Sequence, residues 1–155
     1  MSARDNRQME AQLLAEWWTT LPSSWANKTH VNVGADLLDY NGAPLTPARQ
    51  RAFGVWNDWA DMRIATGAEV WIVEAKIVGT GSGYGQLLDY LDQYPTSADY
   101  AQFRGQSIVG ILLCAFKRDR TANLFSRLGI RTALYTPSWA GDSLANKVWA
   151  GVTGV

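Results

Sequence analysis

Two long apolar segments constrain the fold of this chain more than any other feature. Residues 69–78 and 107–116 carry hydrophobic side chains at odd and even positions alike, so both faces of each predicted strand are apolar. Strands of this kind are buried on both sides of a sheet, beneath covering helices. We therefore expect a central sheet with helices packed against both of its faces.

The rest of the chain alternates between helix and strand. Apolar residues at helical spacing predict a first helix from about Asp5 to Thr20, and Thr46-Pro47 resembles an N-cap and first-turn proline that begin a helix reaching Trp56. Glycines at positions 79, 81, 83 and 85 predict a flexible connection. Further helices are expected at about 84–93, 119–128 and 138–149, and further strands at 30–33, 60–65 and 130–135. This order predicts a three-layer α/β domain with a mixed central sheet, one domain spanning residues 1–155.

Composition narrows the partners and the compartment. Lys+Arg and Asp+Glu balance at 14 each, so a contact with nucleic acid must come from a local basic patch or a bound metal. The single cysteine, Cys114, lies in an apolar segment and is expected to pack as a buried thiol. A polar N-terminus and the lack of an apolar run of membrane-spanning length predict a soluble, cytoplasmic protein with no membrane partner. Most of the tryptophans are expected in the core, although an exposed one could stack on bases.

Two charged residues interrupt the first apolar strand and give the chain its most specific chemistry. Glu74 and Lys76 are two positions apart and therefore point to the same face of a strand. Burying such charges is costly unless each has a partner, and the neighbouring strand of the predicted hairpin offers Asp61. Asp61 and Glu74 supply the oxygen ligands that Mg²⁺ (or Mn²⁺) prefers. Lys76 would then neutralise charge on a phosphate during phosphodiester hydrolysis.

Two alternatives stay open for this pattern. A structural ion pair between Glu74 and Lys76 explains the same spacing, and a bare Glu-x-Lys is common by chance. Asp61 could be a turn or edge residue, in which case Asp36, which follows another short strand, is the alternative first carboxylate.

The pattern resembles the PD-(D/E)XK nuclease superfamily. The resemblance lies in Asp61, in Glu74-Ala75-Lys76 and in the predicted helix that follows. It implies a restriction-endonuclease-like αβββαβ core over about residues 5–116, with a C-terminal β-α extension over about 117–155. It also implies that Asp61 and Glu74 are the metal ligands and that Lys76 is the catalytic lysine. Ala60 stands where a proline often precedes the aspartate, a departure that many members share.

The following helix extends the resemblance. Gln86 and Tyr90 are four residues apart and lie on one helical face. They match the Gln-x-x-x-Tyr motif of RecB-like members, and members with a virus-type replication-repair nuclease domain also have a glutamine here. The motif implies that both residues line the active site. The alternative is that they flank a core stripe formed by the leucines of the helix.

Other polar residues are weaker candidates. Glu10 is a further acidic ligand in the manner of some superfamily members, or a solvated helix residue, and we favour the solvated reading. His30 is left unassigned, because a lone histidine at a strand edge is more often structural. The basic run Lys117-Arg118-Asp119-Arg120 follows a buried strand and predicts a DNA-contacting patch through Lys117, Arg118 and Arg120, although Asp119 dilutes its field.

The sequence therefore predicts a Mg²⁺-dependent DNA nuclease whose cutting is directed by DNA structure or by a partner. The alternative is a phage virion or assembly protein, acting at head completion or at the neck, that uses a nuclease-like fold. The neutral charge and the many tryptophans suit a homo-oligomer or docking to a larger phage assembly. A phage-encoded protein would reside in the host cytoplasm or in the virion.

Overall fold

Five strands form one mixed sheet that carries helices on both faces. The computed structural model describes residues 2–34, 37–53 and 58–141. The helices are α1 (Ala3–Trp18), α2 (Pro47–Phe53), α3 (Gly81–Gln93) and α4 (Asp119–Ser126). The strands are β1 (Ala26–Asn32), β2 (Trp59–Ala65), β3 (Glu69–Gly79), β4 (Ser107–Lys117) and β5 (Ile130–Leu134). Short 3-10 turns cover Tyr94–Thr96, Asp99–Phe103 and Ser138–Gly141.

The strands lie in the sheet in their chain order, β1-β2-β3-β4-β5. The pairs β1–β2 and β2–β3 are antiparallel, whereas β3–β4 and β4–β5 are parallel. The parallel β3–β4 pair requires a crossover, which α3 supplies. The predicted α/β class with a mixed central sheet is confirmed, and the two apolar segments are the two strands at its centre.

Each face of the sheet buries its own hydrophobic core. Because side chains alternate along β3, Val73, Ala75 and Ile77 belong to one core and Val70 and Ile72 to the other. Helix α1 covers the first face, and α3 and α4 cover the second. The first core is built around Met9, Leu13, Leu14 and Trp17 of α1, and the second around Tyr84, Leu87 and Tyr90 of α3 with Ala122 of α4.

Helix α1 begins a little earlier than expected, because Ser2 and Asp5 form a capping box. The Ser2 hydroxyl accepts a hydrogen bond from the Asp5 N–H, and the Asp5 carboxylate accepts one from the Ser2 N–H. These bonds satisfy two of the N–H groups that a helix start leaves unpaired. The buried stripe predicted for α1 is the one that faces the sheet.

Helix α3 begins earlier than the glycine pattern indicated. The predicted flexible connection is wrong, since Gly81, Gly83 and Gly85 all lie within the helix. At Gly83 an added Cβ would come within 3.1 Å of Leu112 Cδ1 and 3.2 Å of Lys76 Cγ. The glycine therefore lets α3 approach β3 and β4 closely at this point.

Strand β1 is longer than the predicted 30–33. Its first four residues, Ala26 to Thr29, are exposed and polar or small, so no hydrophobic alternation marks them. As the first strand in the sheet order, β1 pairs with β2 along one side, and an edge position tolerates polar side chains.

Several expectations fall partly outside the described residues. Helix α2 starts at Pro47 as predicted, but Trp56 is not among the described residues. Of the predicted last helix, the structure describes the 3-10 turn at Ser138–Gly141. Cys114 is fully buried, and burial raises the pKa of its thiol to about 11, as expected of a packing residue. Within the described ranges, every helix is too short or too polar to cross a membrane.

The ladder between β2 and β3 ends early and leaves an opening in the sheet. Its pairing runs from Ala65 opposite Val70 to Met62 opposite Val73 and stops there. On the other side of β3, pairing with β4 continues as far as Gly79 opposite Lys117. The second half of β3 is therefore paired on one side only, and the polar residues of interest line this opening.

Candidate metal centre

Asp61 fills the opening between β2 and β3. Its Oδ2 accepts a hydrogen bond of 2.8 Å from the backbone N–H of Ala75. A side-chain carboxylate thus replaces the carbonyl that a continued ladder would have offered, and the N–H of β3 stays satisfied. The prediction that Asp61 lies on a strand beside Glu74 agrees with this arrangement.

Glu74 and Lys76 form a partly buried ion pair on the face of β3 that α3 covers. Lys76 Nζ lies 2.8 Å from Glu74 Oε1. Glu74 is only 3% exposed, and its buried Oε2 has no hydrogen-bond partner in the described part of the chain. Burying a carboxylate oxygen that accepts no hydrogen bond costs free energy. Such an atom marks a place where a group from outside the chain can supply the missing partner.

Burial and mutual charge shift the pKa values of the ionisable groups in this cluster. Burial, and next the negative charge of Asp61, raise the pKa of Glu74 to about 7, while Lys76 opposes the shift. Burial also raises the pKa of Asp61, against the lowering effect of the Ala75 N–H. Burial lowers the pKa of Lys76, but its bond to Glu74 and the charges of Glu74, Glu10 and Asp61 raise it overall. Three carboxylates therefore share one ammonium group.

Glu10 belongs to this cluster, and the preferred reading of a solvated helix residue is wrong. Its side chain on α1 is partly buried, and burial raises the pKa of its carboxyl. Lys76 lowers that pKa, Asp61 raises it, and the nearby backbone N–H of Ile77 lowers it. Ala75 and Ile77 are alternate residues of β3, so their N–H groups point to the same side. Asp61 and Glu10 thus both lie along the unpaired side of β3.

Gln86 and Tyr90 lie together on α3, close to the carboxylates. The Gln86 amide Nε2 donates a hydrogen bond to the Tyr90 hydroxyl, which donates in turn to the Trp59 carbonyl at 3.0 Å. Tyr90 is 2% exposed, and burial, then the charge of Glu74, raises the pKa of its hydroxyl well above the ordinary value. Tyr90 therefore packs in the core and holds Gln86, which is the more accessible of the two.

The basic patch lies away from the carboxylates. In the β3–β4 register Lys117 is opposite Gly79, three residues beyond Lys76 and so about 10 Å further along the strand direction. Lys117 pairs with Asp119 at 3.2 Å. Arg118 is the residue preceding α4, and Arg120 lines a separate cavity beside Arg127. The structure does not bring these three basic residues into the cluster.

A cavity of about 400 Å³ opens onto Asp61 and Glu10. Arg7, Glu10 and Leu14 of α1 line one side of it, and His30 and Asp61 line the other. Solvent can therefore reach Asp61 and Glu10, and Arg7 lines the same cavity.

The donor set fits a hard divalent cation. Over residues 2–34, 37–53 and 58–141, no three His, Cys, Asp or Glu side chains converge closely enough to hold a metal by themselves. Mg²⁺ does not require such a cage, because it is usually held by one or two carboxylates with waters and substrate phosphates completing its shell. Asp61 and Glu74 provide the two carboxylates, and the unsatisfied Glu74 Oε2 is free to act. Asp36, the alternative first ligand, lies outside the described residues.

Glu10 is the residue that sequence reasoning undervalued. It directly follows Met9, whose side chain is buried against the sheet, so it flanks the buried stripe of α1. That position was visible in the sequence, but the pairing of α1 with one particular stretch of β3 was not.

No protein-family model, curated protein or solved structure matches this chain. The site is therefore interpreted from its geometry. That geometry combines two carboxylates and one lysine at a break in a sheet, a third carboxylate from α1, and an open cavity lined by Asp61 and Glu10.

Proposed function

We propose that this protein is a Mg²⁺-dependent DNA nuclease that hydrolyses phosphodiester bonds. One observation carries the proposal. At the break between β2 and β3, Asp61 accepts the Ala75 N–H, Glu74 pairs with Lys76, and one buried oxygen of Glu74 has no hydrogen-bond partner among the described residues. The same residues underlie the resemblance to the PD-(D/E)XK nucleases, and the α/β fold with a mixed sheet is compatible with it.

Asp61 and Glu74 would hold the ion, and Mn²⁺ suits the same oxygen donors. When bound, the cation neutralises negative charge on the phosphate and makes water more acidic. Asp61 is already oriented for this role by the N–H of Ala75. Glu74 is held by Lys76 through one oxygen, which leaves the second for the ion.

Lys76 acts on the phosphate and on the attacking water. Its side chain is 30% exposed, whereas that of Glu74 is 4% exposed, so the ammonium group faces solvent while its partner stays buried. A positive charge fixed beside the reacting phosphorus stabilises the charge that grows on its oxygens. In this mechanism Glu10, across the opening, accepts a proton from water, and Gln86 orients water or substrate.

The test compares cleavage of linear, nicked and branched DNA in Mg²⁺ by the wild type and by Lys76→Ala. We expect the variant to fold normally and to lose activity by roughly 10²–10³-fold, the usual effect of removing one charge-stabilising group. Lys117→Ala is the matched control. Removing a lysine that contacts only phosphate should weaken binding and reduce its salt dependence without abolishing cleavage.

Two results would contradict the proposal. One is a folded wild type that cuts none of the three substrates in Mg²⁺ or Mn²⁺. The other is a Lys76→Ala variant that cuts as well as the wild type.

A second candidate is the assembly role, in which the chain serves as a docking component of a larger, phage-type particle. The observation that favours it is the exposure of three leucines on α4, just after it, and on β5. Leu124, Leu128 and Leu134 are 55%, 54% and 54% exposed, and exposed apolar patches often mark interaction sites. Size-exclusion chromatography with light scattering separates the two ideas. A ring-sized oligomer with no affinity for Mg²⁺ by calorimetry would favour assembly over catalysis.

A further inference from the structure

A second cavity, of about 600 Å³, lies beside the first. His30 lines both cavities. The described walls of the second cavity come from β1 and Gly34 just after it, from Trp59 at the start of β2, and from the segment 96–102. Its volume lies within the range of ordinary small-ligand sites.

Two stacked rings form one wall of this cavity. The rings of His30 and Trp59 lie 4.5 Å apart between centroids and 11° from parallel. Trp59 remains 43% exposed, although tryptophans are highly buried on average. A large aromatic surface is thus held open at the cavity instead of being packed into either core.

The backbone of His30 is in the left-handed region, with φ of 53°. A non-glycine residue adopts this conformation at a cost, and such strain tends to occur at binding and catalytic sites. His30 and Asp61 also line the first cavity together. The stacked rings are therefore next to the candidate metal ligands.

The polar groups of the cavity suit a nucleotide. Lys28 is 59% exposed and lies on the cavity wall. Asp99 would repel a phosphate, but Arg63 binds it through two hydrogen bonds of 3.0 and 3.1 Å, and Lys28 lies 3.7 Å from it. The remaining polar side chains include the uncharged amides of Asn32 and Gln102, which can pair with the edge of a base.

We infer that this second cavity binds an unpaired nucleotide, whose base stacks on the Trp59–His30 pair. A paired base has both faces covered by its neighbours in the duplex, whereas an unpaired base is free to lie on an aromatic ring. The position of this nucleotide beside the scissile phosphate rests on the proposed nuclease function. The preferred substrate is then single-stranded DNA, or a duplex with an unpaired end, flap or branch.

The test is fluorescence anisotropy of the full chain with a labelled oligo-dT strand of about 12 nucleotides, with Ca²⁺ in place of Mg²⁺. A strand of equal length made of abasic residues has the same phosphates and no bases. We expect the wild type to bind oligo-dT more tightly, and Trp59→Ala to weaken that binding by roughly ten- to a hundred-fold. The same variant should bind the abasic strand as the wild type does.

Two further variants keep the result interpretable. Trp59→Phe retains a stacking ring and should keep most of the affinity for oligo-dT. Tyr40 is 97% exposed and lines neither cavity, so Tyr40→Ala should change nothing. Thermal melting followed by circular dichroism shows whether each variant is folded.

The inference is overturned if the wild type binds the two strands equally, or if Trp59→Ala loses affinity for both to the same extent. Cleavage in Mg²⁺ by the wild type and by Lys76→Ala is measured alongside. Base-dependent binding through Trp59 without any cleavage supports the subsite and contradicts the nuclease. Cleavage that depends on Lys76, with no effect of Trp59 on base-dependent binding, contradicts the subsite and supports the nuclease.

Discussion

At the scale of single residues, Glu74 is the carboxyl group whose ionisation the fold opposes most clearly. Its pKa is raised from 4.5 to about 7 in the folded protein, first by burial and then by Asp61. A carboxyl group whose pKa is raised on folding favours the folded state while it is protonated. That contribution is complete below about pH 4.5 and is lost as the pH rises towards 7.

We therefore expect the metal-free protein to lose stability between about pH 5 and pH 8, by on the order of 1–3 kcal/mol from Glu74. Glu74→Gln cannot ionise and should lose much less over the same range. Urea denaturation in EDTA at several pH values measures how the free energy of unfolding of each protein changes with pH. An equally steep decline in Glu74→Gln would show that Glu74 is not the source.

Glu69→Gln is the matched control on the same strand. Arg131, followed by Trp71, lowers the pKa of Glu69, so removing its charge should not reduce the decline towards pH 8. Adding Mg²⁺ at pH 8 should stabilise the wild type, because a ligand that binds only the folded state raises its stability.

At the scale of elements, the contact of α3 with β3 depends on Gly83. An added Cβ there would press on Leu112 Cδ1 at 3.1 Å and Lys76 Cγ at 3.2 Å, and Leu112 is fully buried. At Gly85 an added Cβ would meet no atom of the described structure within 4 Å. Replacing these two glycines with alanine should therefore have opposite effects on the stability of the protein.

We expect Gly85→Ala to raise the free energy of unfolding by up to about 1 kcal/mol, through helix propensity. Gly83→Ala should lower it by about 1 kcal/mol, because overpacking outweighs that gain. It should also reduce cleavage by displacing the stem of Lys76. Urea denaturation and the cleavage assay measure the two effects. Equal stabilisation by both alanines would show that α3 has room to move at Gly83.

These elements also show how far the sequence predicts the fold and the site. The strands β3 and β4 and the buried stripe of α1 were predicted, because burial leaves a periodic record of apolar residues. The start of α3 was missed, since glycine favours a loop locally and the reason for Gly83 lies in its tertiary neighbours. Asp61, Glu74 and Lys76 were visible as residues. The break in the ladder that brings Glu10 to them depends on how α1 and β2 dock, which no local pattern encodes.

At the scale of the whole molecule, one ion-pair network ties the segment between α3 and β4 to the sheet. Arg63 of β2 binds Asp99 through two hydrogen bonds, and the Tyr94 hydroxyl donates a third at 2.7 Å. The Arg63 guanidinium also lies 4.7 Å above the ring of Phe103. This network fixes the 3-10 turn that forms one wall of the second cavity.

We expect Asp99→Asn to destabilise the protein by about 2–4 kcal/mol at pH 7, because Arg63 is then buried without its partner. Burial raises the pKa of Asp99, but Arg63 and Tyr94 lower it below 3.8 overall. The stabilisation that ionised Asp99 gives the folded state is therefore complete above about pH 4. It is lost as the pH falls through the pKa of Asp99 in the folded protein. The difference in the free energy of unfolding between the wild type and Asp99→Asn should therefore shrink in acid.

Asp119→Asn is the control for this prediction. The Asp119 side chain is 80% exposed in its pair with Lys117, and exposed pairs contribute little. The free energy of unfolding of Asp119→Asn should match that of the wild type within about 0.5 kcal/mol. If Asp99→Asn behaved in the same way at pH 7, the network would not hold the turn.

The break between β2 and β3 also bears on the order in which the molecule is completed. The hairpin of β2 and β3 joins neighbours in the chain and can form early, as local contacts do. Glu10 comes from the N-terminal helix, and the environment that buries Glu74 needs β4 and α3, which are synthesised later. A partly made or partly folded chain therefore lacks the assembled carboxylate cluster. Whatever chemistry the cluster performs is confined to molecules that have reached the native topology.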